Sequence, residues 1–311
     1  MTSRPARSPL LGRAVAAALA AGLVLALVLR AEGDGPARGA VPRTTSAASF
    51  VDAPVPARPR LARRSAAMVR SSILPYVRTA NLAGSEHWGI PVATARATDP
   101  VRRVTLFRWG FGPKRTVRFR IPDAAQPSQG SDHHLAVIDG DRELDLWAAR
   151  RVGGGDLKAG AAVVVPRDAG GIAGAVAGTA AGFTLTAGIV RADELAAGRI
   201  DHALVFTVPR VHPSYVAPAV HTDGRARNRD ALPMGTRIQL DPAADLSGLP
   251  RTQRVVARAL QVYGAYLVDS SGSLAVRAEA PATGAGAWAR AGLADLSLGA
   301  IPWSRVRVLA P

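Results

Sequence analysis

The sequence has no cysteine, two lysines (Lys114 and Lys158) among its 39 basic residues, and few aromatic side chains at 5%. Without cysteine there is no disulfide framework, no Cys-ligated zinc or iron-sulfur centre and no thiol nucleophile, so any nucleophile is oxygen or nitrogen. The shortage of aromatics, with no zinc finger, RNP motif or basic heptad, removes the stacking platforms and reading helices that nucleic-acid binding uses. A Gly-x-Ser-x-Gly elbow and a Gly-Lys-Ser/Thr triplet are also missing, which argues against an α/β-hydrolase turn and a phosphate-binding loop. Half of the formal net charge of +16 falls within residues 1–70, where Glu32, Asp34 and Asp52 are the acids. The rest is spread thinly and is almost all arginine, a pattern of GC-rich codon usage, and no nucleic-acid partner is expected.

What is present is enough apolar residue, 48% of 311, to build a folded core. Arg4, Arg7 and Arg13 precede an uninterrupted apolar run over residues 14–29, the layout of an export signal. Residues 1–30 are therefore read as a cleaved signal peptide or a retained membrane anchor, and both place the rest of the chain outside the membrane. Residues 31–70, rich in Ala, Pro, Arg and Ser without apolar periodicity, read as a disordered tether.

From residue 71 to 311 the pattern is that of one all-β domain. Period-two segments separated by Gly, Pro, Asp and Ser predict strands at 103–107, 116–121, 133–138, 143–148, 161–165, 200–208, 236–240, 265–269, 274–278 and 305–309. Residues 192–197 and 252–263 predict two short accessory helices, each stopped by a glycine. Strand and helix do not alternate, so the expectation is an antiparallel β-sandwich of jelly-roll type.

The stretch 132–147 carries most of the chemistry. It predicts a hairpin turning at Asp139-Gly140 or at Gly140-Asp141. Either register puts Leu135, Val137, Leu144 and Leu146 on one face and His134, Glu143, Asp145 and Trp147 on the other. A tryptophan beside carboxyl groups and a histidine offers a flat apolar surface for a sugar ring. His202 and His221 lie in the following half of the chain, and their convergence on His134 and Asp145 would suit proton transfer or a zinc site, although no compact His-x-His spacing supports a metal. Arg191 and Tyr215 are candidate substrate contacts, a cation and a phenol of the kind that elimination from a uronic-acid polymer needs. Hydrolysis would instead use a carboxyl pair, with Glu143 and Asp145 among the candidates.

Asp132 to Trp147, Ile200-Asp201-His202-Ala203, Pro218-Ala219-Val220-His221 and Pro233-Met234-Gly235 together resemble a family of exported actinobacterial proteins with no assigned activity. The resemblance runs over about residues 90–311. The family pattern is an Asp-x-His opening a strand, an acid before an aromatic in the next strand, an Ile-x-His-Ala strand and a Pro-Ala-x-His loop. It implies one site from His134, Asp145, His202 and His221, with Asp145 standing where a glutamate is expected. The functional expectation is an exported glycan-active enzyme, a polysaccharide hydrolase or lyase with no obligatory cofactor, acting on a carbohydrate polymer. A noncatalytic glycan- or wall-binding module tethered to the membrane is the alternative.

Overall fold

The computed structural model describes residues 49–85, 87–107, 115–174, 178–280 and 297–311, so the apolar run at 14–29 and residues 31–48 of the expected tether lie outside the described residues. Sixteen strands occur among the described residues. The first nine are β1 (Asn81–Ala83), β2 (Val92–Thr94), β3 (Val101–Leu106), β4 (Thr116–Arg120), β5 (Leu135–Asp139), β6 (Arg142–Trp147), β7 (Arg150–Arg151), β8 (Leu157–Ala159) and β9 (Ala161–Pro166). The other seven are β10 (Leu204–Val208), β11 (Val211–Tyr215), β12 (Leu232–Met234), β13 (Arg237–Leu240), β14 (Ala265–Ser270), β15 (Ala275–Arg277) and β16 (Val306–Val308). Three α-helices accompany them: α1 (Ser65–Ser72), α2 (Ala192–Ala197) and α3 (Arg251–Val262). None of these helices is long and apolar enough to cross a membrane.

The fold is mostly β, as the alternating patterns require, but its sheets are mixed. A six-stranded sheet runs β1-β15-β10-β14-β13-β16, two four-stranded sheets run β2-β5-β6-β9 and β4-β3-β8-β7, and β11 pairs with β12. The expected purely antiparallel pairing is corrected at five places, where β1 with β15, β2 with β5, β3 with β8, β10 with β14 and β11 with β12 are parallel. Period-two alternation is common to both kinds of ladder, so it cannot report strand direction. Long connections decide that instead, as where α3 lies on the path from β10 to its parallel neighbour β14.

Two apolar cores follow from the β5–β6 hairpin. Leu135, Val137, Leu144 and Leu146 pack with Val104, Phe119 and Leu157 of the neighbouring sheet. Ala136 and Ile138, on the opposite face, join the larger core with β10, β14 and α3. That helix presents Val255, Val256, Ala259 and Leu260 inward at helical spacing, and Gly264, at φ +71°, ends it.

The boundary between tether and domain is also corrected. Val51 is 1% exposed, Ala203 N–H donates to its carbonyl at 2.7 Å, and Leu61 bridges Leu309. Helix α1 contributes Val69 to the core, and Arg64 pairs with Asp230 at 2.5 Å. Residues 49–70 thus belong to the packed body, because scattered apolar residues without periodicity still dock individually on a sheet edge.

Candidate functional site

The hairpin settles its own register. Leu135 lies opposite Leu146, Ala136 opposite Asp145 and Ile138 opposite Glu143, so Gly140-Asp141 is the two-residue loop. Gly140 takes φ +61°, which glycine adopts without the Cβ clash other residues meet. The predicted separation of faces holds, yet the polar face is not an open surface.

Residues 184–186 lie across it. Asp145 is fully buried and its Oδ2 accepts a hydrogen bond from Leu185 N–H at 2.9 Å. Glu143 is 2% exposed and accepts from Thr186 N–H at 3.2 Å and from Thr186 Oγ1 at 2.7 Å. Burial raises both carboxyls, Asp145 well above the usual carboxylate range, with the neighbouring Glu143 raising Asp145 further. These two groups clamp a turn to the hairpin, so the expected substrate contact at Glu143 and catalytic carboxyl at Asp145 are buried against residues 184–186 and do not face an open cleft.

His134 is held differently. Its N–H donates to Ser128 Oγ at 2.9 Å, its carbonyl accepts from Ser128 N–H at 2.8 Å, and the ring is buried. His133 before it sits at φ +43°, a left-handed conformation uncommon outside glycine, in the turn that aims both residues. The His134 pKa is lowered to about 3, first by burial and then by the charge of Arg277, so the imidazole is neutral near pH 7. Its Nδ1 is buried without a hydrogen-bond partner among the described residues, and Nε2 lies 3.8 Å from Asp132 Oδ2.

Arg277 extends from β15 to an ion pair with Asp269 at the end of β14. Asp269 Oδ1 also accepts from Ala180 N–H at 2.8 Å, and the Ala180 carbonyl lies 3.3 Å from His221 Nδ1. Burial pushes the Asp269 pKa up to about 6 against the opposing charge of Arg277, and the charges of Asp223 and Asp132 raise it too. Asp132, His134, Arg277 and Asp269 therefore form one electrostatic neighbourhood, and His221 reaches it only through the Ala180 peptide. Trp88, 54% exposed, stands at its edge, where a Cβ on Gly130 would meet the Trp88 ring at 3.0 Å.

The remaining predicted residues lie elsewhere or serve packing. His202 is not brought to His134: its Nε2 meets Glu194 Oε1 at 3.0 Å and its Nδ1 the Ala203 carbonyl at 2.9 Å. Burial lowers its pKa, but the hydrogen bond and charge of Glu194 outweigh that and hold it above the ordinary value, as in an ion pair tying α2 to β10. Arg191 pairs with Glu279 at 3.1 Å. The Trp147 ring lies against Gly160, 2.9 Å from where a Cβ would stand, which fits a packing role better than a sugar platform. Tyr215 is 51% exposed on β11, paired with Met234 of β12, and its side chain makes no hydrogen bond to the described residues.

Sequence reasoning missed Asp269, Arg277 and Trp88. The signal for Arg277 was legible: an arginine inside the run Leu274-Ala275-Val276-Arg277-Ala278 needs a buried counter-charge. Its partner lies eight residues back, at the end of the preceding strand. Among the described residues no group of three His, Asp or Glu side chains is disposed to hold a metal ion. A carboxyl near pH 6 beside a guanidinium and a neutral imidazole is suited to exchanging a proton with a bound polar substrate and to stabilising developing charge. No family model matches the chain, and neither a curated protein nor a solved structure matches it.

Proposed function

We propose that this chain is an exported carbohydrate-active enzyme that hydrolyses a glycan outside the cytoplasm. The observation carrying the proposal is Asp269, a partly shielded carboxyl with a pKa of about 6, paired with Arg277 and sharing its surroundings with Asp132. Glycoside hydrolysis needs one carboxyl that holds its proton near neutral pH and a second carboxyl group nearby. Asp269 takes the first role in this reading and Asp132, with a side chain 48% exposed, the second. Trp88 supplies the ring surface first sought in Trp147. The frame we propose is a sandwich, since the two four-stranded sheets share one apolar core.

The test is turnover by the full-length protein on neutral and acidic polysaccharides, reading new reducing ends together with the ultraviolet absorbance of unsaturated uronates. Reducing ends without absorbance are expected, and Asp269→Asn is expected to lower the rate about 10²-fold or more. An unchanged rate in Asp269→Asn removes Asp269 from the chemistry. Retention of a glycan with no turnover on any polymer favours the binding module instead.

A further inference from the structure

A second feature adjoins the Asp269 cluster. A shallow groove of about 570 Å³ is lined by Arg210, Arg225, Arg227, Asn228, Asp223 and Ser270 among others. Asp223, which lines the groove and accepts from Ser270 Oγ at 2.5 Å, is close enough for its charge to act on Asp269, so the groove adjoins the cluster. Its wall is built by the backbone. Ala226 N–H donates to the Val211 carbonyl at 2.9 Å, and a Cβ on Gly224 would fall 2.1 Å from the His212 carbonyl oxygen, so glycine there lets residues 222–226 press against β11. Exposure then alternates, with Arg225 and Arg227 outward and Gly224 and Ala226 turned toward the body. In extended chain this spaces the two arginines by about 7 Å.

Arg210, Arg225 and Arg227 make no ion pair or hydrogen bond with the described residues. In the other large hollow, of about 620 Å³, Arg251 donates to the Leu195 carbonyl at 3.0 Å and Arg254 to the Leu249 carbonyl at 3.2 Å. The acid of the basic groove, Asp223, is already engaged by Ser270. Three unpaired guanidinium groups around one groove favour a multivalent anion, and guanidinium forks match carboxylate and sulfate. The groove lining contains no aromatic side chain on which bases could stack, which disfavours single-stranded nucleic acid.

We infer that this groove binds an anionic polysaccharide, a chain bearing carboxylate or sulfate groups, and directs it toward Asp269. This inference rests on the hydrolase reading for the direction of the polymer, while the groove's affinity is measurable without turnover.

The experiment measures binding of the full-length protein to polygalacturonate, dextran sulfate, uncharged dextran and a single-stranded oligonucleotide at several salt concentrations. Both polyanions are expected to bind, more weakly as salt rises, and dextran is not. Because a chain of net charge +16 attracts polyanions generally, Arg225→Gln/Arg227→Gln is compared with Arg78→Gln/Arg118→Gln, two exposed arginines on β4 and ahead of β1. The groove variant should weaken binding about fivefold or more with an unchanged melting temperature, and the control pair less than about twofold. Equal losses in the two variants, or tighter binding of the oligonucleotide than of either polyanion, overturn the inference. Specific loss in the groove variant with no turnover on any polymer sustains the groove and removes the hydrolase reading. Turnover of neutral polymers with indifference to polyanions does the reverse.

Discussion

At the scale of single residues, the same side-chain type serves opposite ends according to what surrounds it. Asp145 and Asp269 are both raised by burial, but Asp145 faces a backbone N–H and another carboxyl while Asp269 faces a guanidinium. For all three raised carboxyls the folded state binds protons more tightly than the unfolded chain. Their contribution to stability is complete below the unfolded carboxyl pKa, about 4, and is lost as pH rises toward the folded values, about 6 for Asp269. His134 works in the other direction: its contribution is present above about 6.5 and is lost as pH falls toward its folded value of about 3. Asp145→Asn keeps an oxygen to accept from Leu185 N–H and an amide able to donate to Glu143, but no longer titrates. Its melting temperature is expected to fall less than that of the parent between pH 5 and pH 8, and an identical pH slope would count against a raised Asp145 carboxyl. Asp145→Ala leaves Leu185 N–H buried without its acceptor and should cost about 1 to 3 kcal/mol at either pH, read from denaturant unfolding. The segregation of Glu143, Asp145 and His134 onto one face was legible in the sequence from period two alone. That this face is covered by residues 184–186 was not, because the covering segment is about forty residues away in the chain.

At the scale of elements, the turn over residues 128–134 positions the histidine. Ser128 holds His134 through two backbone contacts, and the Ser128 carbonyl lies 2.9 Å from His133 Nδ1. Gly130 lets this turn approach residues 85–89: its N–H donates to the His87 carbonyl at 3.0 Å, and a Cβ would lie 2.3 Å from that oxygen. Gly130→Ala must therefore separate the two loops. The expected result is a loss of about 1 to 3 kcal/mol in stability and at least tenfold in turnover, with Asp132 and His134 displaced from Arg277. A variant that melts and turns over like the parent would show that the close approach is dispensable. Helix α2 falls on residues 192–197 as its pattern indicates, and α3 lies within one residue of its predicted ends. Helix α1 escaped notice because Ser65–Ser72 has the Ala, Ser and Arg content of the segment before it and no side-chain N-cap. The short strands β1, β2, β7, β8 and β12 were missed because two or three residues show no period of their own, whereas β15 and β16, equally short, lie inside longer alternating stretches.

At the scale of the whole molecule, the N-terminal part of the described chain stabilises the body it was expected only to tether. The Phe50 ring lies 4.5 Å from the Phe183 ring and 5.1 Å from the Tyr266 ring, and Val55 N–H donates to the Val262 carbonyl at 2.8 Å. A chain beginning at Ser71 loses these contacts with Val51 and Val69, at about 1.5 to 3 kcal/mol for each fully buried aliphatic side chain. It should lack a cooperative thermal transition, whereas a chain beginning at Ser49 should retain one; a cooperative melt near the parent temperature from the shorter chain would refute the packing role. The sequence by itself determined the β-rich class, the hairpin with its two faces, both glycine-stopped helices and the exclusion of thiol chemistry, since each depends on local period or composition. Only the tertiary structure decided strand direction, the separation of His202 from His134, the burial of Glu143 and Asp145, and the meeting of Arg277 with Asp269. Those outcomes depend on contacts between segments distant in the chain, and alternation along one strand carries no record of which strand lies beside it.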